Sequence, residues 1–374
     1  MSYSINHIAQ IVLAKLTQNV NANIDYLVID SRKIIFPTTS LFFALAGVRR
    51  DGHAYINDVY KRGVRNFVVS QHIDTAIYPE ANFLLVNDVL KALQILAATH
   101  RKQFLYPVIG ITGSNGKTIV KEWLHQLLSD NETIVRSPRS YNSQVGVPLS
   151  VWQMTSQHTL GIFEAGISTV NEMQALEEII SPTIGILTNI GEAHNEGFES
   201  DVKKLSEKLQ LFRNSSSLVY CKDVVTSLID VEAPNAQLFA TPVQFFSWSR
   251  NQDATLTVIS EKIISNHTEA SLFYQGKSFT ITIPFTDAAS VNNAITCICT
   301  LLFFNIPIEK IQDKLLQLQA IDMRMQLNKG INNSYILNDS YSNDLSSLSI
   351  ALDYLKQQSG NNKKTVILSD ILQS

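Results

Sequence analysis

The most informative stretch of this chain is Gly110-Ile111-Thr112-Gly113-Ser114-Asn115-Gly116-Lys117-Thr118. The apolar pair Val108-Ile109 precedes it and predicts a strand over 108–112, and a helical pattern follows over 117–128. A strand, a glycine-rich turn and a Lys-Thr pair that opens a helix are the layout of a phosphate-binding loop. A glycine turn without a ligand is the alternative, but it does not explain why both flanking elements fit this layout.

The residue types of this loop suit a bound nucleotide. Backbone N–H groups of the turn, from Gly113 through Asn115 to Gly116, and the positive end of the helix dipole can surround an anion. Lys117 can reach the β- and γ-phosphates, and the Thr118 hydroxyl can ligate Mg²⁺. The sequence therefore predicts a protein that handles a nucleotide phosphate.

Composition and charge argue against several other classes of protein. The chain has 374 residues, enough for two or three domains, and a formal net charge of −3 with the charges mixed along its length. This charge gives no electrostatic reason to expect a nucleic acid or an anionic membrane as partner. The cysteines, Cys221, Cys297 and Cys299, lack metal-binding spacing and suit a reducing compartment.

The apolar segments predict neither a membrane span nor a secretory signal. The longest apolar run, near 295–308, is interrupted by Thr300, Asn305 and Pro307 and is too short to span a bilayer. The first residues place apolar side chains at helical spacing but lack the basic start and apolar block of a signal peptide. We expect a soluble, cytoplasmic protein.

The pattern of elements divides the chain into three regions, with Pro107 close to the first boundary. Residues 1–105 predict a small α/β domain, and residues 106–320 alternate strands with helices, which is typical of a mostly parallel sheet. Strands are predicted at 26–29, 41–45, 66–69, 82–86, 108–112, 133–136, 159–164, 184–189 and 217–221, with more near 236–247 and 255–283. Helices are predicted at 53–62, 89–104, 117–128, 203–212, 291–304 and 308–319.

The third region, residues 321–374, has the pattern of a single strand–helix–strand unit. Its elements are predicted at 334–338, 345–357 and 365–368. One such unit cannot bury a core of its own, because both faces of its strands stay exposed. We expect an incomplete α/β domain, which would mean that the chain is a fragment or that the protein continues beyond it.

Polar residues follow the predicted strands near the phosphate loop. In an open parallel sheet, ligands bind beyond the carboxyl ends of the strands. Glu164 ends the strand at 159–164, and His194 lies in the loop after the strand at 184–189. A carboxylate and an imidazole there could complete the coordination of Mg²⁺. Taken singly, Glu164 could equally be a solvated strand end and His194 an ordinary loop histidine.

Lys208 lies beside an apolar face in the helical stretch 203–212. Periodicity alone does not decide between a surface lysine and a lysine at the site.

Motifs along the chain together resemble the Mur ligases, the ATP-dependent amide-forming enzymes of peptidoglycan synthesis. They are T-G-S-N-G-K-T at 112–118, N-S-Q-V-G-V-P at 142–148, F-E-A-G at 163–166, T-N-I-G-E-A-H-N-E-G-F at 188–198 and D-S-Y-S-N at 339–343. The likeness runs from about residue 25 to the end. Lys121-Glu122 and Ala193-His194 favour the branch that adds D-alanyl-D-alanine over the tripeptide-forming branch.

The resemblance implies a role for each matching residue. Lys117, Glu164, His194 and Lys208 would be catalytic, and Thr118, Glu164, His194 and a carbamylated Lys208 would hold Mg²⁺. ATP would be bound by Gly113, Asn115, Gly116, Lys117, Thr118, Asn293, Arg324 and Asp339. The sugar-nucleotide substrate would be held by Ser31, Arg32, Gly47, Asp51, His53, Asn142 and Ser143.

The resemblance also implies a fold and a reaction. The fold would comprise an N-terminal UDP-sugar-binding domain, a central P-loop domain that binds ATP, and an incomplete Rossmann-like C-terminal domain, with the boundaries given above. The terminal carboxylate of UDP-N-acetylmuramoyl-tripeptide would be phosphorylated by ATP, and D-Ala-D-Ala would then attack the acyl phosphate. The chain could be the front part of a fusion with an alanine racemase, and a fragment would bind its substrates but turn over poorly.

Other functions remain open at this point. A tripeptide-forming ligase of the same family is one, and a nucleotide-binding scaffold without catalysis is another. Folyl-polyglutamate ligases lack the UDP-sugar domain, so residues 1–105 argue against them.

Overall fold

The computed structural model of the protein describes residues 2–47, 50–191, 197–233, 238–251, 253–332, 334–341, 345–359 and 362–369. The chain packs as two compact units. The first contains residues 1–105, 141–158 and 178–180, and the second contains 106–140, 159–177 and 181–374. The sequence-based division at about residues 105 and 320 stays a prediction. The contacts add that residues 141–158 pack with the first unit.

The strands of the first unit are short, with 2 to 4 residues each, and helices lie among them. The strands are β1 (Tyr3–Ser4), β2 (Lys15–Thr17), β3 (Asn23–Ile24), β4 (Tyr26–Val28), β5 (Ser40–Phe43), β6 (Asn66–Val69) and β7 (Asn82–Leu85). The helices are α1 (Ile5–Ile11), α2 (Ile56–Lys61), α3 (Val89–Arg101) and α5 (Gly146–Val151). Residues 106–140, between α3 and α5, belong to the second unit and contain α4. Short 3-10 turns lie at Ser31–Lys33, Pro37–Thr39, Gly52–Tyr55 and Thr75–Ile77.

The second unit contains the remaining strands and helices. Its strands are β8 (Val108–Thr112), β9 (Ile134–Arg136), β10 (Leu160–Glu164), β11 (Ile184–Leu187), β12 (Ser217–Cys221), β13 (Gln244–Ser249), β14 (Leu256–Ile264), β15 (His267–Tyr274), β16 (Lys277–Ile283), β17 (Gln326–Lys329) and β18 (Tyr335–Asn338). Its helices are α4 (Lys117–Leu128), α6 (Met173–Ile180, whose last residues pack with the first unit), α7 (Asp201–Leu209), α8 (Lys222–Val225), α9 (Ala288–Phe303), α10 (Ile308–Leu315) and α11 (Leu345–Ser359).

A sheet in the order β2-β7-β6-β5-β4 forms the centre of the first unit. Strands β4 to β7 pair in parallel, and β2 is antiparallel to β7. The strands β5 and β6 are buried on both faces, which explains why apolar residues follow one another after the first position of each strand. Leu41, Phe43 and Leu84 pack against α3 on one face, and Phe42, Phe67 and Phe83 form the core on the other.

A buried histidine links the elements of the first unit. The His100 Nδ1 atom lies 2.8 Å from the Tyr3 hydroxyl, and its Nε2 atom lies 3.0 Å from the carbonyl of Met154. A carbonyl only accepts, so Nε2 carries the proton and Nδ1 accepts from Tyr3, an arrangement that only the neutral ring can make. Burial lowers the pKa of His100 to about 4.

This histidine predicts an acid-sensitive first unit. The pKa of His100 rises from about 4 in the folded state to about 6.5 on unfolding, so the unfolded state binds more protons in this range. Stability from His100 is complete above pH 6.5 and is lost as the pH falls through 4, by up to about 3 kcal/mol. Urea unfolding at several pH values should show weaker acid destabilisation in His100→Gln than in wild type. The exposed His72→Gln is the control, and equal pH slopes in all three proteins would contradict this assignment.

The central sheet of the second unit has the strand order β16-β15-β14-β13-β12-β11-β8-β10-β9 within the described residues. All neighbours from β9 to β14 pair in parallel, and β14, β15 and β16 form antiparallel hairpins. This arrangement confirms the predicted mostly parallel sheet. The strand β8 lies between β10 and β11, so the turn after it opens at the carboxyl edge of the parallel strands.

Some predicted elements differ from the observed ones. The strand predicted near 236–247 begins only at Gln244, and residues 234–237 lie outside the described part of the chain. The stretch 255–283 is divided by turns into β14, β15 and β16, with Ser265 and Gln275 at positive φ. The predicted strand at 365–368 is wrong. These residues have no strand partner among the described residues, and Ile367 is 93% exposed.

Among the described helices, none combines the length and apolar character that a bilayer crossing requires.

Candidate active site

The phosphate loop joins β8 to α4 and depends on two glycines. Gly113 has φ +149° and Gly116, the residue that caps α4, has φ +85°, a backbone region that disfavours residues with a side chain. A Cβ atom at Gly113 would overlap the Thr188 hydroxyl, and one at Gly116 would overlap Asn293 Oδ1. Both positions therefore require glycine for conformation and for space.

The segment that follows β11 fixes the shape of the loop. Asn189 accepts the Ser114 N–H with its carbonyl (2.9 Å) and the Asn115 N–H with its side-chain oxygen (2.7 Å). The Thr188 hydroxyl donates to the Asn115 carbonyl at 2.6 Å. These bonds hold the turn open in advance. The sequence placed Asn189 only at the end of the strand predicted at 184–189. Its hydrogen bonds to the loop follow from the pairing of β8 with β11.

Lysine side chains converge on the carbonyl side of the loop. The Lys117 ammonium donates to the carbonyls of Gly113 (2.7 Å) and Ser114 (2.9 Å), and the Lys208 nitrogen donates to Gly113 at 3.2 Å. Lys208 is 1% exposed, so it is not a surface lysine. Burial, and then the charges of Lys117 and Lys204, hold the pKa of Lys208 well below its ordinary value.

Thr118 and Glu164 meet on the other side of the loop. The Thr118 hydroxyl donates to Glu164 Oε2 at 2.9 Å, since a carboxylate can only accept. Glu164 is fully buried, which excludes a solvated strand end. Its second oxygen, Oε1, accepts no directed hydrogen bond from the described residues but lies 2.9 Å from the Lys121 ammonium. This contact is an ion pair without hydrogen-bond geometry.

The donor set of Thr118 and Glu164 fits a hard divalent cation. Because the Thr118 hydroxyl donates its hydrogen bond to Glu164, the lone pairs of the hydroxyl oxygen remain directed away from the carboxylate. Hydroxyl and carboxylate oxygens are the ligand types that Mg²⁺ takes beside nucleotide phosphates. Among the described residues there is no group of three or more His, Cys, Asp or Glu side chains that could hold a metal. His194 lies outside the described residues, so its predicted role stays a prediction.

A cavity of about 370 Å³ lies next to the loop, which is within the usual range for small-molecule sites. The carboxyl ends of β12 and β13, the start of α9 and residues of α11 contribute to its lining. It is lined by Asn115, Gly116, Thr188, Asn189, Cys221, Val224, Trp248, Asp287, Ala288, Ala289, Asn292, Asn293, Ile350, Asp353, Tyr354 and Gln357. Asn293, predicted from the sequence, is therefore placed beside the phosphate loop.

Several residues of this cavity were not predicted. Asp287 caps α9 by accepting the Ser290 N–H at 2.7 Å, and burial raises the pKa of its carboxyl. Its Asp-x-x-Ser capping pattern was visible in the sequence. Trp248 and Tyr354 left no such signal, because they come from a strand and a helix far apart in the chain. Burial, and then the charge of Asp287, raises the pKa of Tyr354.

Arg324 and Asp339 lie on the segment that follows the central sheet. Arg324 donates to Ser140 Oγ at 3.2 Å and stacks over the ring of Tyr341 at 4.2 Å. Ser140 Oγ is itself 3.4 Å from the Thr118 hydroxyl, so Arg324 is connected to the loop. Asp339 accepts the Met325 N–H at 3.1 Å, which fastens the hairpin of β17 and β18.

The predicted substrate residues lie in the first unit. Asp30 accepts the Arg32 N–H and pairs with the Arg32 guanidinium at 2.8 Å, which orders the turn that contains Ser31. This turn follows β4, and the turn with Gly47 follows its parallel neighbour β5, so both lie at one sheet edge.

The Lys33 ammonium donates to the Tyr141 hydroxyl at 3.2 Å. That bond brings the segment with Asn142 and Ser143 to the same turn.

Asp51 and His53 form a second ordered turn at this edge. The carboxylate of Asp51 accepts the His53 N–H (2.9 Å) and lies 2.6 Å from His53 Nδ1. These bonds lower the pKa of Asp51. His53 Nε2 accepts the Ser70 N–H at 3.0 Å, so Nδ1 carries the proton in the neutral ring. A Cβ atom at Gly52 would lie 2.7 Å from the Leu45 nitrogen, which requires glycine there.

The fold and the loop place the protein in the P-loop class. Comparison with known proteins identifies the family within this class. The model of the Mur ligase middle domain matches residues 111–301. A UDP-N-acetylmuramoyl-tripeptide--D-alanyl-D-alanine ligase from Bacillus subtilis is 27% identical over 99% of this chain and 79% of its own length. The ligase of the same name from Rickettsia prowazekii is 30% identical over 87% of this chain and 72% of its own length.

Solved structures share the fold. MurF from Acinetobacter baumannii matches with a TM-score of 0.84 at 23% identity, over 96% of this chain and 77% of that protein. MurF ligase from Thermotoga maritima, solved in complex with ADP, matches with a TM-score of 0.74 at 20% identity, over 88% of this chain and 74% of that protein. The chain belongs to the Mur ligase family.

Proposed function

We propose that this chain is an ATP-dependent ligase that joins D-alanyl-D-alanine to UDP-N-acetylmuramoyl-tripeptide in peptidoglycan precursor synthesis. The observation that carries the proposal is the phosphate loop with Thr118 and Glu164 on one side and Lys117 and Lys208 on the other. Relatives with this activity in their names match nearly the whole chain. Synthesis of this precursor connects the protein to cell-wall biogenesis, cell shape and cell division in the cytoplasm.

The residues of the loop serve the first half of the reaction. The tripeptide carboxylate attacks the γ-phosphorus of ATP, an acyl phosphate forms, and ADP leaves. Negative charge approaches negative charge in this step. The Lys117 ammonium and the N–H groups of the loop therefore act by positioning and electrostatic stabilisation.

In the second half, the amine of D-Ala-D-Ala attacks the acyl carbon. Inorganic phosphate departs with the C–O bonding pair, and the amine loses its proton. Water must be kept away from the acyl phosphate between the two steps. Arg324, which is bonded to Ser140 beside the loop, is proposed to contribute to this closure, with Asp339 holding its hairpin.

Thr118 and Glu164 are proposed to hold Mg²⁺, with His194 as a further ligand. When bound, Mg²⁺ supplies a Lewis acid that neutralises charge on the phosphate oxygens. The cavity beside Asn293 is proposed to take the nucleoside part of ATP, between Trp248, Tyr354 and Asp287.

The sheet edge of the first unit is proposed to hold the UDP-sugar end of the substrate. The residues concerned are Ser31, Arg32, Gly47, Asp51, His53, Asn142 and Ser143. The Arg32 side chain is 76% exposed and can reach an anionic group. We further propose three functional regions at 1–105, 106–320 and 321–374. A racemase fused beyond residue 374 also stays a prediction, which the downstream reading frame tests.

Lys208 is proposed to become carbamylated. A neutral amine attacks CO₂, the N–C bond forms, and a proton is released, which leaves a carboxylate in place of the amine. The lowered pKa of Lys208 increases the fraction of this side chain that is a neutral amine. We expect a carbamate signal in the ¹³C NMR spectrum of protein equilibrated with ¹³C-bicarbonate. The signal should be absent in Lys208→Met and present in the exposed control Lys203→Met. A spectrum without this signal in the wild-type protein would contradict the modification.

A phosphate-release assay tests the proposed function. We expect release from MgATP only when UDP-N-acetylmuramoyl-tripeptide and D-Ala-D-Ala are both present. Release with the corresponding dipeptide and a diamino acid would instead identify a tripeptide-forming ligase. ADP binding without release under either condition would identify a nucleotide-binding scaffold.

A further inference from the structure

The ion pair between Lys121 and Glu164 has a consequence for metal binding, and this inference rests on the proposed function. Lys121 lies one turn after the loop on α4 and has no exposed surface. Its ammonium donates to the carbonyls of Ser137 (2.7 Å) and Arg139, and lies 2.9 Å from carboxylate oxygens of both Glu122 and Glu164. An ammonium buried this deeply requires such compensation, because desolvation opposes its charge.

The charges of this cluster balance internally. Glu122 is shared between Lys121 and Arg136, whose Nε atom lies 3.0 Å from Glu122 Oε2. Burial tends to raise the pKa of Glu122, but the charges of Lys121 and Arg136 outweigh it and the pKa is lowered. Two cations and two carboxylates therefore sum to zero. The negative charge of Glu164 is already matched by an internal cation.

The position of Lys121 also determines which oxygen of Glu164 faces the loop. Lys121 lies beside Oε1, and Oε2 accepts from Thr118. Among the other cations around the loop, Lys204 is paired with Asp201 at 3.1 Å. Lys117 adds positive charge near Gly113, and the Arg324 guanidinium adds it near Ser140, beside the Thr118 hydroxyl. A divalent cation that approached the empty loop would thus meet a carboxylate that is neutralised and a region that is positive.

We propose that Lys121 is a positioning residue that makes metal binding depend on the nucleotide. Lys121 directs Glu164 Oε2 toward the metal position and cancels the charge that would otherwise attract a metal on its own. The phosphates of the nucleotide then supply the missing negative charge. The metal enters with the nucleotide, and the loop stays free of divalent cations between turnovers.

Manganese binding, measured by the electron paramagnetic resonance signal of free Mn²⁺, tests the proposal without an activity assay. Wild type is expected to bind Mn²⁺ tightly only when ADP is present. Lys121→Met leaves Glu164 without its internal cation, and we expect it to bind Mn²⁺ without ADP at least about tenfold more tightly than wild type. Lys121→Arg keeps the charge and should restore the dependence on ADP.

Further variants separate this role from a structural one. Lys121→Met combined with Glu164→Gln should lose the gained Mn²⁺ binding, because the carboxylate that attracts the metal is gone. Glu122 lies at the more exposed edge of the cluster, and Glu122→Gln leaves the cluster with a net positive charge. This variant should weaken Mn²⁺ binding in the presence of ADP a few-fold. It tests the proposal even if Lys121→Met fails to fold. Equal ADP-free Mn²⁺ binding by folded Lys121→Met and wild type would overturn the proposal, as would Glu122→Gln with unchanged affinity.

The same experiment distinguishes failure of the two proposals. Wild type that binds Mn²⁺ with ADP, beside a folded Lys121→Met that gains nothing, overturns the role of Lys121 and leaves the ligase proposal standing. Wild type that binds neither ADP nor Mn²⁺ with ADP overturns both.

Discussion

Replacing Lys117 with methionine is expected to lower kcat/KM for ATP by about 10³-fold. The Lys117 ammonium is already held against the loop by its hydrogen bonds to the carbonyls of Gly113 and Ser114. Methionine has a similar length but carries no charge, so the phosphoryl group loses an attractive partner when its negative charge is concentrated. Phosphate release and ADP affinity should both be measured.

The control for this variant is Lys203→Met, on the exposed side of α7. It removes the same charge from the protein as a whole, but not from the loop. We expect Lys203→Met to retain wild-type kinetics. Lys117→Met should melt close to wild type, since the loop is also held by bonds from Thr188 and Asn189. A Lys117→Met enzyme within fivefold of wild type would contradict the assigned role.

Parts of the central sheet could be predicted from sequence because parallel strands are buried on both faces. The runs at 108–112 and 217–221 are mostly apolar and buried at every position, and they match β8 and β12. The helix predicted at 117–128 matches α4, because the glycine before it and the apolar spacing within it mark both ends. The loop at the end of β8 then determines where Glu164 must lie, since β10 pairs with β8.

Other features depend on contacts that no local pattern encodes. Lys121 is charged and follows the loop by only a few residues, yet it is buried because oxygens from β10 and the Ser137–Arg139 segment surround it. Residues 141–158 follow a strand of the second unit and still pack with the first. The predicted strand at 365–368 had the apolar composition of a strand, but strand formation also requires a hydrogen-bonding neighbour.

Replacing Gly116 with alanine is expected to disrupt the site more than the addition of one methyl group suggests. The backbone at Gly116 has φ +85°, which costs about 1–2 kcal/mol for alanine. Its new Cβ would also overlap Asn293 Oδ1, so Asn293 or the start of α4 must move. We expect the free energy of unfolding to fall by about 2–4 kcal/mol in total. Because the loop N–H groups move with the start of α4, ADP affinity should fall at least about tenfold.

Gly276 provides a matched control for the backbone part of this effect. It has φ +79°, but no described atom lies within 4 Å of the position its Cβ would take. Gly276→Ala should therefore show the cost of the backbone alone, about 1–2 kcal/mol in denaturant unfolding, with ADP affinity unchanged. Adding Asn293→Ala to Gly116→Ala should recover part of the stability by removing the overlap. If Gly116→Ala and Gly276→Ala lose equal stability and both keep ADP affinity, the loop does not depend on the contact between Gly116 and Asn293.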